Sequence, residues 1–334
     1  MTEPLRPLHE LQSFVLSAAR VEMMREDLRL DDDLWDAGFD SLNALELAEA
    51  CSEAGLADID PTIFLTYRTS AAIAEHILRT PPLRQSASLL FHDSGTLPPI
   101  HCVSAPAGTG LAFAALIDSL PSHQPVVVIE PEGMHNQGRV ARSIPEAGAD
   151  LYDQVRQYQP EGPVVMVAYS AGGVPAYECA QLLRRDGRLT HVIMIDSYLV
   201  YDRTLRTKVV STRQLDPARL QSRISEFRER LRYAYYNRTV RTVPAGADRY
   251  RLIGGIAARA RRRYRPAPAD FPITVLQVAD SRAAATWMGL TPHITVLEAA
   301  GNHGSVLMHP HVQQVVDVLN EVIPSLQSAE VNPR

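Results

Sequence analysis

Three side chains far apart in the chain have the chemistry of a nucleophile, an acid and a base. Ser170 lies in "VAYSAGG", between the apolar run "PVVMVAY" and the helix-like "AGGVPAYECAQLLRRDG". A serine raised on a strand-to-helix elbow has strained backbone angles, and its flanks come too close together for large side chains. Ala168 and Gly172, two before and two after, meet that demand, with Ala168 standing where the G-x-S-x-G pattern has its first glycine. The elbow presents the hydroxyl at a helix N-terminus, where the dipole and free N–H groups favour a developing oxyanion. Asp196, in "VIMIDSYL", follows the next strand-like run, and His303, in "TVLEAAGNHGSVL", follows the last one. An acid and then a base are expected after such a serine in that chain order. Asp280, in "TVLQVADS", is a rival acid at the end of a later strand. His309 and His311, in "MHPHV", suit a helix-start turn and offer too few converging ligands for a metal.

A second serine raises a different chemistry. Ser41, in "LWDAGFDSLNALEL", follows a tight turn at Gly38 and is expected to be the N-cap of a helix. Acidic residues crowd it: Asp31, Asp32, Asp33, Asp36 and Asp40.

The elements that must position these residues fall into two sections. From 5 to 80, "LHELQSFVLSAARV", "SLNALELAEACSEAGL" and "TSAAIAEHIL" carry apolar residues at helical spacing, with Gly55 as a possible stop and Thr69 or Ser70 as a cap. They predict a small helical bundle. Residues 80–99 are bounded by prolines and predict a linker or a short lead-in strand. From Pro99, apolar runs of strand length alternate with amphipathic stretches, the pattern of a parallel α/β sheet. The strands are expected at Ile100–Ser104, Pro125–Glu130, Val164–Ala168, His191–Ile195, Ile273–Ala279 and Ile294–Leu297. The stretch Tyr198–Arg265 interrupts this alternation with arginine-rich helical sequence, as an insertion would.

Charge follows the same division. Residues 1–80 hold sixteen acids against six arginines, and residues 202–265 hold seventeen arginines and one lysine against five acids. The net charge of −5 is too mild to call for a nucleic-acid or membrane partner. No apolar run is long enough to cross a bilayer, and "MTEPLRPLHEL" lacks the layout of a secretory signal. Cys51, Cys102 and Cys179 are widely spaced and form neither a metal-ligand pair nor a disulfide framework, so a reducing cytoplasm is expected.

The motifs together resemble a known assembly. Residues 98–325, through "PPIHCVSAPAGTG", "SIPEAGADLYDQVRQYQPEGPVVMVAYSAGG", "AYECAQLL", "IDS", "TWMGL" and "GNHGSVL", resemble the thioesterase domain that ends nonribosomal peptide synthetases and many polyketide synthases. Residues 8–78, with "GFDSL" and "DPTIFLTYRTSAAIAEHI", resemble acyl and peptidyl carrier proteins. The resemblance implies a small all-α four-helix carrier bundle (5–80), a linker (81–97) and an α/β-hydrolase domain (98–327). The latter would have a mostly parallel, doubly wound sheet and a helical lid at about 198–265. It implies Ser170, Asp196 and His303 as catalytic residues, the backbone N–H groups of Ala107 and Ala171 as the oxyanion hole, and no metal. Ser41 would carry 4′-phosphopantetheine.

The activity so implied is chain release. An acyl or peptidyl group would pass from the carrier thioester to Ser170 and then to water, an internal nucleophile or an external one. The partners implied are an upstream synthetase or synthase module or acyl-loading enzyme, a phosphopantetheinyl transferase and the acyl or peptidyl substrate. Two alternatives compete: an editing thioesterase that clears misloaded carriers, and an inactive carrier or scaffold. The basic insertion admits three roles: a solvated lid face, a receiver for the acidic carrier, or a source of arginines that bind an anionic group on the acyl chain.

Overall fold

The computed structural model describes residues 7–54, 56, 59–79, 87–106, 108–134, 139–199 and 247–331. The N-terminal bundle consists of α1 (Leu8–Glu22), α2 (Ser41–Glu53), a 3-10 turn (Pro61–Leu65) and α3 (Ser70–Arg79). The third of its four helical elements is thus a short 3-10 turn, started by Pro61 and capped by Asp60, whose carboxylate accepts the Thr62 N–H at 2.9 Å. Leu11, Val15, Leu34, Leu47, Phe64 and Ile73 are fully buried and form the bundle core.

The expected N-cap of α2 needs correction. Asp40, not Ser41, caps the helix: its carboxylate accepts the Asn43 N–H at 2.9 Å, and Asn43 Oδ1 accepts the Asp40 N–H at 3.1 Å. This reciprocal pair satisfies two backbone donors from one position earlier, and Ser41 becomes the first helical residue. At α3 the cap is Thr69, whose Oγ1 accepts the Ala72 N–H at 3.1 Å. Gly55 lies outside the described residues.

The larger section is a seven-stranded sheet in the order β1-β3-β2-β4-β5-β6-β7. Its strands are β1 (Ser88–Phe91), β2 (Ile100–Val103), β3 (Val126–Ile129), β4 (Val164–Tyr169), β5 (Thr190–Ile195), β6 (Ile273–Val278) and β7 (Ile294–Ala299). All neighbouring pairs are parallel except β1 with β3. The stretch 81–97 is therefore not linker throughout, because Ser88–Phe91 pairs antiparallel with Val126–Ile129 and closes one edge of the sheet. The central strands β2, β3, β4 and β5 are buried on both faces, which explains why they appear in the sequence as unbroken apolar runs.

Helices α4 (Ala114–Ser119), α5 (Ile144–Tyr158), α6 (Gly173–Arg185) and α8 (Gln313–Val331) cover the sheet, and α7 (Ala247–Arg263) is the described part of the insertion. Residues 200–246, most of the expected lid, lie outside the described residues. The α7 end is anchored by Tyr264, whose hydroxyl donates to Glu178, and by the following loop, where Ala267 O accepts from Tyr177 Oη at 2.6 Å. No helix among the described residues is long and apolar enough to cross a membrane.

The bundle meets the sheet domain through the Pro61–Leu65 turn, which packs on the 3-10 turn Gly110–Phe113 ahead of α4. Arg68 ties the two polar surfaces together, pairing with Asp33 at 2.6 Å and with Asp118 at 2.8 Å.

Candidate active site

Ser170 is the first residue of a single 3-10 turn, Ser170–Gly172, between β4 and α6. Its φ of +53° lies in the left-handed region, a strain of roughly 1–2 kcal/mol for a residue with a Cβ. The glycines beyond it show why the turn tolerates nothing larger. A Cβ on Gly172 would lie 2.6 Å from the carbonyl oxygens of Val103 and Ser104, and one on Gly173 would collide with Ser197. On the strand side, Ala168 is fully buried between its partners Val103 and Met194.

Asp196 directly follows β5, the strand beside β4, and it also has positive φ, at +42°. Its N–H donates to Leu276 O at 2.7 Å and its side chain is only 3% exposed. Asp196 Oδ2 accepts a hydrogen bond from His303 Nδ1 at 2.6 Å, a pairing that orients the imidazole and presents Nε2 on the far side. Trp287, fully buried, donates from Nε1 to Ser197 O at 2.6 Å and pins the turn that carries Asp196. The rival acid Asp280 is exposed and makes no hydrogen bond to His303.

His303 sits in the loop between β7 and α8, which is shaped from within. Asn302 Oδ1 accepts the N–H groups of Gly304 and Ser305 at 2.9 and 3.1 Å, and Ser305 Oγ accepts the Asn302 N–H at 3.0 Å. Gly301 has φ +83°, and a Cβ there would strike His311 and Ser305. Tyr169 then joins this loop to the elbow. Its ring stacks on His303 with centroids 5.2 Å apart, and its hydroxyl donates to His303 O at 2.5 Å. Burial and the neighbouring Asp196 charge push the Tyr169 phenol up, so it stays protonated as a donor. The structure thus brings Asp196 and His303 into contact and seats His303 against the residue preceding Ser170. Among the described residues, Ser170 itself makes no hydrogen bond to His303.

The oxyanion candidates divide. Ala171 is the second residue of the elbow turn, while Ala107 lies outside the described residues, although its neighbours Ser104–Pro106 run directly off β2. No group of acids, histidines and cysteines among the described residues is arranged to hold a metal ion. The three cysteines are buried; burial raises the Cys51 thiol to about 12 and moves Cys102 and Cys179 in the same direction.

Tyr169 and Trp287 are the supporting residues that sequence reasoning missed. Each stands within one of the motifs, but nothing in residue type or spacing distinguishes a pinning aromatic from an ordinary core one.

The model of the family described as "Thioesterase domain" matches residues 98–286, more than half of the chain. The chain belongs to the thioesterase domain family. The thioesterase domain is preceded by a match to the family described as "Phosphopantetheine attachment site", over residues 14–77, so the bundle is a domain of the kind that carries that group on a serine. Malpinin synthetase of Mortierella alpina is 29% identical over 158 residues, 46% of this chain and 2% of the relative. The dimodular nonribosomal peptide synthase of Bacillus subtilis (strain 168) is 25% identical over 171 residues, 51% of this chain and 7% of the relative. The chain therefore spans only a small part of these relatives' length.

Among solved structures, a holo four-domain nonribosomal peptide synthetase bound to AMP and glycine aligns with 97% of this chain and 26% of its own. Its TM-score is 0.58 at 18% identity. The Vlm2 thioesterase domain aligns over 70% of this chain and 98% of its own, with TM-score 0.51 at 20% identity. These likenesses support the α/β-hydrolase fold with its mostly parallel sheet.

Proposed function

We propose that this chain is a chain-releasing thioesterase of natural-product assembly, acting on an acyl or peptidyl group carried by its own N-terminal domain. The observation that carries this proposal is the Asp196–His303 hydrogen bond of 2.6 Å beside the strained Ser170 elbow, in a chain that also holds a carrier domain.

Ser41 is the attachment residue, at the start of α2 and directly after the Asp40 cap. A phosphodiester suits that place, because a helix N-terminus favours negative charge. The 4′-phosphopantetheine group would supply a flexible tether ending in a thiol, on which the acyl chain is presented as a thioester.

His303, oriented by Asp196, removes the Ser170 proton as Oγ attacks the thioester carbonyl carbon. The C–S bond then breaks, the sulfur leaves with the proton returned by His303, and an acyl–O–Ser170 ester remains. Backbone N–H groups of Ala171 and Ala107 hold the intervening oxyanion, each contributing about 3–4 kcal/mol in comparable sites. In the second half-reaction His303 deprotonates water, or a hydroxyl or amine of the chain or of another molecule, and the ester is opened. The partners are then a loading module or enzyme upstream and a phosphopantetheinyl transferase, in the cytoplasm. Wild-type protein and Ser170→Ala treated with a fluorophosphonate probe and with an acylated holo-carrier form test this directly. Labelling and product release confined to the wild type support the proposal, and equal release by the variant removes it.

A further inference from the structure

Glu130 directly follows β3 and is only 2% exposed, a costly place for a carboxyl that takes no part in the proton transfers of Ser170 and His303. Buried carboxyl oxygens are retained where donors meet them. Glu130 Oε1 accepts the backbone N–H of Gly110 at 2.5 Å, and the Glu130 N–H donates to Ala87 O at 2.9 Å. The acceptor is therefore carried by the sheet. Gly110 opens the 3-10 turn Gly110–Phe113, in which Leu111 and Phe113 are buried and on which the carrier's Pro61–Leu65 turn also packs. A Cβ on Gly110 would lie 2.5 Å from Val128 Cγ1, so the backbone comes this close to Glu130 only without a side chain.

The residues between β2 and this turn include Ala107, and the described contacts hold the segment at both ends. At its start, the Ser104 N–H donates to Ile129 O at 3.1 Å, and the carbonyls of Val103 and Ser104 are the groups that Gly172 of the elbow abuts. At its end stands the bond from Gly110 to Glu130. Between them the Gly108 N–H donates to Ala105 O at 2.8 Å. Ser104, Pro106 and Glu130 also line one cavity of about 70 Å³ beneath Ile253, Ala257 and Ala260 of α7, so the carboxyl shares that space with the residue before Ala107. Both end anchors belong to consecutive residues, Ile129 and Glu130, at the end of one strand. An oxyanion donor acts through its prior placement, so whatever fixes this short segment sets how well an N–H from it meets the developing charge.

We infer that Glu130 is a positioning residue of the oxyanion hole: through Gly110 it holds residues 104–110 against the elbow, the segment whose Ala107 N–H is the proposed second donor. The inference rests on the proposed thioesterase mechanism, in which that donor stabilises the oxyanion. What the position requires is an acceptor at the reach of this side chain. Gln offers a carbonyl oxygen at the same reach, whereas Asp keeps the carboxyl and withdraws it by one methylene.

The test compares Glu130→Gln with Glu130→Asp in the full-length protein, using a small acyl thioester and the fluorophosphonate probe. Glu130→Gln should keep kcat within about threefold of wild type. Glu130→Asp should lower kcat and the rate of Ser170 labelling together, by about ten- to a hundredfold, because a misplaced donor falls short of a lost one. KM should change little, since the interaction is made in the transition state. Wild-type kcat in Glu130→Asp, or the reverse order with Glu130→Gln the slower, overturns the inference and leaves the thioesterase reading intact. If Glu130→Asp does not fold, Gly110→Ala disturbs the same contact from the other side and should show the same loss of kcat at little-changed KM. Wild-type kcat in Gly110→Ala, or failure of that variant to fold as well, overturns the inference, since the contact would then serve stability alone. Absence of both labelling and turnover in the wild type defeats the proposed function itself.

Discussion

Tyr169 holds His303 in two ways at once: ring stacked on ring at 5.2 Å, and hydroxyl bonded to the histidine's own carbonyl at 2.5 Å. The residue before Ser170 thereby fixes the loop that carries His303. Tyr169→Phe keeps the stacking and loses one hydrogen bond worth about 0.5–1.5 kcal/mol, so kcat/KM on a model thioester should fall by up to about tenfold. Tyr169→Ala loses both contacts and should fall further, with fluorophosphonate labelling of Ser170 slowed in the same order. Wild-type rates in Tyr169→Ala would show that the loop holds itself.

The two candidate acids separate cleanly by substitution. Asp196→Asn leaves His303 with the wrong hydrogen-bond partner and should lower kcat by roughly 10²–10⁴-fold. Asp280→Asn, at an exposed position, should stay within about twofold. The reverse pattern in steady-state kinetics would reassign the acid.

At the elbow, size should matter unequally on the two sides. Gly172→Ala puts a methyl against the backbone oxygens of Val103 and Ser104 and should cost about 1–3 kcal/mol, seen as a lowered Tm and loss of probe labelling. Ala168→Gly, inside β4, should lose no more than about 1 kcal/mol and keep its turnover.

How much of this was legible beforehand follows the physics of each element. The buried central strands and the small residues around Ser170 announce themselves by composition, and the β5 end at Asp196 and the loop at His303 follow from the alternation. Ser88–Phe91 reads equally as linker or strand, because four residues between prolines and polar sequence carry no period. The α2 cap falls one residue before the expected Ser41, since Asp40 and Ser41 are both good caps and only the reciprocal bond with Asn43 decides between them. The cavity beneath α7 is invisible for another reason: its lining comes from the end of β3, from α5 and from α7, which only the fold brings together. Ala107 and most of the insertion fall outside the described residues.

One buried and one half-buried histidine make stability depend on pH. Burial lowers His101, bonded to Gln159 at 3.0 Å, and His191, bonded to Thr274 at 2.9 Å, to about 4 each. Their folded pKa values lie below the unfolded value of about 6.5, so the unfolded chain binds protons first as pH falls. Stability from this source is complete above about pH 6.5 and should decline steadily towards pH 4, which urea midpoints across that interval would register. A His101→Gln variant should show a shallower decline; an identical slope would remove His101 as a cause.

The thiols should be silent. With all three cysteines buried and their pKa values raised, iodoacetamide at neutral pH should leave both thiol content and thioesterase activity unchanged until the protein is unfolded.

The central claim is that the acyl group passes from the carrier to Ser170. Intact-protein and peptide mass spectrometry of the acylated holo protein, quenched during turnover, reads that step directly. The mass of the acyl chain should appear on the peptide containing Ser170 and be absent from that peptide in Ser170→Ala, which should also release no product. Acyl mass on a different residue, or product release by Ser170→Ala at the wild-type rate, would contradict it.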